Sequence, residues 1–284
     1  MSQYKILKRN RYFEVLGYLN NENRMNDKVG MVIDIDLTQL QFARNKLFIQ
    51  TGLKPTYTTF LVKAIAQTLV EQKHANRFTL DLPFYKRVVQ LEGSADISVA
   101  VEKDRPEIEQ AVYVATVRDA DKKSLTEIAA ELKFFAGASS ETDERWKAMQ
   151  MVVEKIPFLW LSKLLISLPK YLPSLWVKHR GGAAVVSSPS KYGVDTMIGS
   201  WPWPLGFSFG LVKDRVIAVN GQAEVRQTMS VSFSFDRRLM GGAPAARFFR
   251  AVCDKLENIH VDEVDLHDKP WKMKEEKFPI STSN

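Results

Sequence analysis

The chain has 284 residues, 45% hydrophobic and 26% charged, which is the range of ordinary globular proteins and excludes collagen-like, disordered and polytopic membrane chains. A single cysteine, Cys253, excludes a disulfide framework and a cysteine-based zinc site, and the four histidines, His74, His179, His260 and His267, form no HExxH pair. Forty Lys and Arg against 33 Asp and Glu leave a net charge of +7 and a pI near 9.3, a surface suited to phosphorylated cofactors or anionic lipid.

The first ten residues lack the apolar core of a signal peptide, so a cytoplasmic protein is expected. Lys5, Lys8, Arg9 and Arg11 cluster with no zinc-finger or RNA-binding signature after them, and no nucleic-acid partner is expected. Residues 1–28 read as an N-terminal segment before the first strong element. Over Val29–Leu37, Met31, Ile33, Ile35 and Leu37 alternate with Val32, Asp34 and Asp36, the period of a half-buried strand. Thr38–Gln50 reads as a helix stopped by Gly52 and Pro55. Phe60, Leu61, Ala64, Ile65, Thr68 and Leu69 recur at helical spacing, with Thr58 as the expected cap. Ile97–Val101 and Val112–Val117 read as strands around a polar loop, Glu102–Gln110. Ser124-Leu-Thr-Glu127 is a capping box opening a helix with Leu125, Ile128, Ala129, Leu132 and Phe135 on one face. Ala138–Arg145 reads as a loop.

The composition then shifts. No acidic residue lies between Glu154 and Asp195, whereas Lys155, Lys163, Lys170, Lys178, Arg180 and Lys191 do. Ile156–Val177 is mostly Leu, Ile, Trp and Phe, broken by Pro157, Pro169 and Pro173. Its lysines and prolines argue against a membrane span. Phe158–Leu168 reads as a short apolar helix with a thin polar stripe of Ser162, Lys163 and Ser167. The stretch about 154–180 is expected to be an insertion that packs on a neighbouring subunit or covers a channel. The alternative is a basic, Trp-bearing segment lying on a membrane surface.

Strands follow at Ala183–Ser187, Leu205–Val212 and Val216–Val219, the last closed by an Asn220-Gly221 hairpin turn. Met229, Val231, Phe233 and Phe235 alternate with Ser230, Ser232 and Ser234. After Asp236-Arg-Arg-Leu-Met-Gly-Gly242, Pro244 fits the first turn of a closing helix striped with Ala245, Phe248, Phe249, Val252 and Leu256. Residues 268–284 form a polar tail. Hairpins mixed with helices predict an α+β fold, helices covering a mixed sheet.

The run Ser232-Phe-Ser-Phe-Asp-Arg-Arg-Leu-Met-Gly-Gly-Ala-Pro-Ala-Ala-Arg-Phe248 resembles the catalytic domain of the 2-oxoacid dehydrogenase acyltransferases, which share a fold with chloramphenicol acetyltransferase. Thr58–Val70 resembles the family's Ala-rich helix, Ile97–Val101 and Val117-Arg-Asp-Ala120 its central strands, and Gly181-Gly-Ala-Ala-Val-Val-Ser187 its Gly-Gly-Thr-Phe-Thr-Ile-Ser. The likeness runs from about Val29 to Asn258, with 135–180 lacking a counterpart, and the domain is expected over 29–267.

The resemblance implies acyl transfer from coenzyme A to a second thiol or hydroxyl, in a trimer whose sites lie in channels between subunits. It implies no metal, and no lipoyl domain is read before Val29, so membership of a dehydrogenase complex is not expected. A motif histidine is the family's general base, a serine or threonine its oxyanion donor, and a motif aspartate holds the loop. Here Ser187 fills the donor position, but Arg237 stands at the histidine and Gly241 at the aspartate. Ser188 replaces the family's Asn after the donor. The Arg237–Arg238 pair either grips a phosphate or carboxylate, Arg238 being the expected cofactor-binding residue, or includes an internal ion pair through Arg238. His179 is the candidate replacement base, its alternative a surface histidine at a loop end. His74 reads as the C-terminal end of a helix and His260 and His267 as tail residues. Cys253 reads as a buried thiol. The expected function is an acyltransferase-family protein with reduced or lost transfer, the alternative a non-catalytic acyl- or CoA-binding or membrane-surface protein.

Overall fold

The computed structural model describes Arg11, Val15, Tyr18 and residues 28–81, 86–93, 95–103, 111–138 and 144–259. The basic cluster before Arg11, His260, His267 and the polar tail lie outside the described residues.

Nine strands are described: β1 (Lys28–Asp36), β2 (Arg77–Asp81), β3 (Lys86–Gln90), β4 (Ile97–Lys103), β5 (Ala111–Val117), β6 (Ala184–Ser187), β7 (Leu205–Phe209), β8 (Lys213–Val219) and β9 (Gln222–Asp236). The helices are α1 (Thr38–Thr51), α2 (Tyr57–Glu71), α3 (Leu125–Gly137), α4 (Glu144–Gln150), α5 (Leu159–Ser167), α6 (Pro173–Arg180) and α7 (Gly242–Glu257). Seven strands make one sheet in the order β1-β9-β7-β6-β4-β5, with β8 paired to the first half of β9. β7, β6 and β4 run parallel and the other pairs antiparallel, so the sheet is mixed. The α+β expectation is borne out.

Strand alternation decides which face carries the core. Phe207 and Phe209 on β7, Ala184 and Val186 on β6, and Met229, Val231, Phe233 and Phe235 on β9 point to one side. There they meet Leu40 and Leu47 of α1, Phe60, Leu61 and Ile65 of α2, Ile128 of α3, and Phe248, Phe249 and Val252 of α7. The rings of Phe207, Phe233, Phe248 and Phe249 pack tilted or edge-on, with centroids 4.8–6.3 Å apart. Cys253 is buried in this layer, and burial pushes its thiol up to about 12.

The opposite face is thinner. Phe78 and Leu80 of the β2–β3 hairpin, Trp176 of α6, Val185 and Trp203 cover part of it, Phe78 and Trp176 stacking at 4.4 Å. Serines 230, 232 and 234 point this way and are buried. Each hydroxyl finds an acceptor: Asp34 for Ser230, the Met197 carbonyl for Ser232 and the Gly206 carbonyl for Ser234.

Several local expectations change. Helix α2 is capped by Thr56, not Thr58. Thr56 is extended after Pro55, its hydroxyl accepts from the Thr59 amide at 3.3 Å, and the Thr56 amide donates back to the Thr59 hydroxyl. The β2–β3 hairpin and α4 arise where no element was read. The strand from Leu205 ends at Phe209, because a Cβ on Gly210 would lie 1.8 Å from the Asp195 carbonyl oxygen: the chain from Val194 crosses there, and the Leu211 amide donates to the Val194 carbonyl. Ile156–Val177 splits into α5 and α6 around a 3₁₀ turn, Leu168–Lys170, as its prolines dictate. No helix among the described residues is long and apolar enough to cross a membrane.

Candidate active site

The motif begins where β9 ends. Asp236 is 3% exposed, and its amide donates to the Pro204 carbonyl at 3.0 Å. Its carboxylate accepts the Arg238 amide at 3.0 Å, Arg238 Nε at 3.0 and 3.2 Å, and Arg238 Nη2 at 2.7 Å. Of the two readings open for the arginine pair, the geometry has Arg238 in the internal ion pair. Burial pushes the Asp236 carboxyl up, but the bonds from Arg238 and the charges of Arg238 and Lys28 outweigh it and hold it below the usual carboxylate range.

Lys28 lies opposite Asp236 in the β1–β9 register. Its Nζ donates to the carbonyls of Trp203 at 2.6 Å and Pro204 at 3.1 Å. Burial pushes it down to about 8, with Asp236 opposing and Arg238 assisting. Between these fixed charges Arg237 projects outward, exposed, and makes no hydrogen bond or ion pair among the described residues. Gly241 is the N-cap of α7 with no side-chain cap, and a Cβ there would meet only Pro244 Cδ, at 3.8 Å.

Ser187 ends β6. Its Cα is level with Ser208 on β7, and Ser208 with Ser232 on β9. All three side chains stand on the face away from the helices, because Val186, Phe207 and Phe233 occupy the other. Ser187 is half-buried and its hydroxyl has no partner among the described residues, while Ser208 Oγ is fully buried and unpaired. The Ser188 hydroxyl bonds the Phe209 carbonyl and the Ser190 hydroxyl, each at 2.9 Å, fixing the turn after Ser187.

Ser187 and Arg237 lie at opposite ends of the sheet. Arg237 is five residues beyond the Ser187 level and two strands across, which places them on the order of 19 Å apart at ordinary strand spacing and rise. His179 is not beside Ser187 either. It ends α6, which enters β6 at the Arg237 end, where Arg118 bonds the carbonyls of Val177 at 2.6 Å and Lys178 at 2.7 Å. Partial burial and the charges of Lys178 and Arg118 lower the His179 pKa. Gly182 marks the closest approach at this end: a Cβ there would lie 2.0 Å from the Asp96 carbonyl oxygen. His74 lies in the 3₁₀ turn Lys73–Ala75 after α2, its Nε2 buried without a partner. Lys28, Asp236 and Ser208 were not singled out from the sequence. Lys28 sits at the edge of a strand pattern, and its burial follows from strand order alone. Among the described residues no group of three or more His, Cys, Asp or Glu could hold a metal.

The class is an α+β domain: a mixed seven-stranded sheet with helices on one face, a strand–loop–helix motif where β9 ends, and Ser187 at the other end of the sheet. The chain belongs to the family described as 2-oxoacid dehydrogenases acyltransferase (catalytic domain), whose profile matches residues 18–151 and 180–261. It is 25% identical over 209 residues to the dihydrolipoyllysine-residue succinyltransferase component of the 2-oxoglutarate dehydrogenase complex of Azotobacter vinelandii, covering 73% of this chain and 42% of that protein. It is 24% identical to the lipoamide acyltransferase component of the branched-chain alpha-keto acid dehydrogenase complex of Bacillus subtilis, covering 80% and 46%. The chain thus spans less than half the length of these relatives. A probable dihydrolipoamide acetyltransferase from Listeria monocytogenes superposes with a TM-score of 0.66 at 19% identity, over 93% of this chain and 99% of that one. The dihydrolipoamide acetyltransferase of Azotobacter vinelandii, solved to address a serine, a histidine and an asparagine in its mechanism, gives 0.64 at 21% identity, over 90% and 93%.

Proposed function

We propose that this protein is an acyl-CoA-linked member of the family in which thiol acylation is weakened or lost, working as a homotrimer with its sites between subunits. The observation that carries the reading is Arg237, exposed and unpaired at the place where the resembled motif has its histidine. An arginine stays protonated and offers no acceptor, so it cannot take a proton from a thiol. A thiol of ordinary pKa near 8.5 is only a few per cent thiolate at neutral pH. A fixed cation beside it favours thiolate formation, yet leaves no group to return a proton to the departing thiolate.

The rest of the apparatus supports binding. Ser187 offers a free hydroxyl where an oxyanion donor is required. Such a donor acts at about 2.7–3.1 Å, and the far sheet end at Arg237 cannot be brought to that range within one protomer. A second copy supplying the other half resolves this, which supports association of copies, and the number three comes from the family resemblance. Arg237 is the guanidinium we assign to the anionic donor, while Arg238 holds the loop through Asp236.

The test is threefold. Acyl-CoA raises the melting temperature, sedimentation gives a trimer at micromolar concentration, and transfer from acyl-CoA to simple thiols stays near the uncatalysed rate. Robust turnover abolished by His179→Ala would show that the base has moved and overturn the reading. A monomer at micromolar concentration would overturn the shared site.

A further inference from the structure

Helix α5 is apolar except for a thin stripe of Ser162, Lys163 and Ser167, and it sits at the surface. Leu159 and Ile166 pack inward against the small cluster of Val15, Tyr113 and Val153. The side chain between them on that inner face is Ser162, 0% exposed, which accepts from Arg11 Nη2 at 3.0 Å. Arg11 also bonds the carbonyls of Val153 and Ile156, so the polar group on the helix is used internally. The outward side carries Trp160, 64% exposed, and Leu164, 46% exposed, with Phe158 at 58% just ahead and its ring 6.4 Å from that of Trp160. Leu172, at 47%, extends the patch towards α6. Large apolar side chains left exposed together mark a surface that meets something.

Charge says what it meets. Lys155, Lys163, Lys170 and Lys178 flank this patch, exposed or half-buried, and no acidic residue occurs from Lys155 to Tyr192. Lys163 lies over the Tyr18 ring at 5.5 Å and Lys170 over the Tyr171 ring at 4.9 Å, so two of the four rest on aromatic faces with no carboxylate in their own segment. Bulky aromatics flanked by lysines, on a helix too short to span, match the boundary between acyl chains and anionic headgroups. The patch also falls in 152–179, where the family profile has no counterpart. Whatever it serves is this chain's own feature and not part of the shared acyltransferase framework.

We propose that Phe158, Trp160, Leu164 and Leu172, with these lysines, dock the protein on the surface of an anionic bilayer without crossing it. The full chain is floated with phosphatidylcholine vesicles, with and without about one third phosphatidylserine, at low and high salt. Wild type should float with the anionic vesicles and be released by salt. Phe158→Ser with Trp160→Ser should lower partitioning at least about tenfold. Lys155→Gln with Lys178→Gln should lower it by about fivefold per charge on anionic vesicles only. All four side chains are exposed, so melting temperatures should not move, and the lysine pair keeps the test valid if the aromatic variant misfolds. Wild type remaining in the soluble fraction, or floating equally well after the aromatic change, overturns the proposal. Loss of the assembled species in sedimentation on the aromatic change, without vesicle binding by wild type, assigns the patch to a second copy and overturns it as well.

Discussion

Restoring the two replaced motif groups is the sharpest perturbation, and the structure lets its size be worked out. Arg237 is exposed and makes no hydrogen bond or ion pair among the described residues, so Arg237→His removes neither. Gly241 has φ −73° and ψ 167°, a conformation any residue adopts, and a Cβ would touch only Pro244 Cδ at 3.8 Å. Aspartate fits there without strain. It also supplies the side-chain cap that α7 lacks and the first acidic group near that helix start, worth about 0.5–1 kcal/mol. Gly241→Asp alone should therefore raise the melting temperature by roughly 1–4 °C. The double variant should gain transfer activity on the order of 10²-fold, the lower end of what a positioned base contributes. The assay follows free CoA released from acyl-CoA in the presence of a simple thiol. A histidine base must be neutral, so the gained rate should rise with pH through about 6.5. Adding Ser187→Ala should remove about 10²-fold of it if the hydroxyl donates to the oxyanion. A double variant that is folded, trimeric and binds acyl-CoA but shows no gain would refute the assignment of these positions.

Two further predictions concern the same end of the sheet. Gly182→Ala forces a Cβ to 2.0 Å from the Asp96 carbonyl oxygen, backbone against backbone, and should cost about 3 kcal/mol or more in urea unfolding. Gly242→Ala, with nothing within 4 Å, should be neutral or stabilising and serves as the control. Lys28 is lowered by burial to about 8 from 10.5. Below pH 8 both folded and unfolded states carry its proton and the full cost of burying the charge is present. Between about pH 8 and 10.5 only the unfolded state keeps the proton, so stability from this group rises with pH. Wild type should gain up to about 3 kcal/mol on Lys28→Met across that window, and a constant difference between the two would show that Lys28 is not desolvated.

What the sequence discloses follows the reach of each interaction. Period-two alternation in β1 and β9, the capping box at Ser124 and the apolar stripe of α7 are set by neighbours a few residues away, and all were legible. Thr56 took the cap from Thr58 because it is the extended residue whose hydroxyl reaches the Thr59 amide, two positions earlier. The β2–β3 hairpin was missed because two five-residue strands separate from the main sheet carry little pattern; what holds them is Phe78 stacked on Trp176, nearly 100 residues away. Helix α4 was missed for a similar reason, since its polar sequence is anchored by Trp146 stacked on Tyr113 at 3.5 Å. The polar stripe of α5 was visible, but which side of the helix it faced was not. That side is decided by Arg11 reaching Ser162 from the other end of the chain.

The site divides along the same line. Asp236 and Arg238 hold the loop, Lys28 ties β1 to the Trp203–Pro204 turn, and Gly182 admits the Asp96 backbone. Arg238, Asp236 and Gly182 agree with the resembled motifs, and each is fixed by a contact the fold needs. Arg237 and Gly241 depart from it: Arg237 is exposed with no hydrogen bond or ion pair among the described residues, and a Cβ on Gly241 would meet Pro244 Cδ at 3.8 Å. The side chains that hold the loop, Asp236 and Arg238, are paired, and on the proposed reading it is the proton-transferring position, Arg237, that has changed. Fold likeness reports only the first of these, so a TM-score of 0.66 is as compatible with an inert site as with an active one. Ser187 is the link between the two: it is placed by β6 regardless of chemistry, and its hydroxyl has no partner among the described residues. On the proposed reading, a bound acyl group or a second subunit is what meets that hydroxyl. That is why the trimer and the acyl-CoA titration must be measured together.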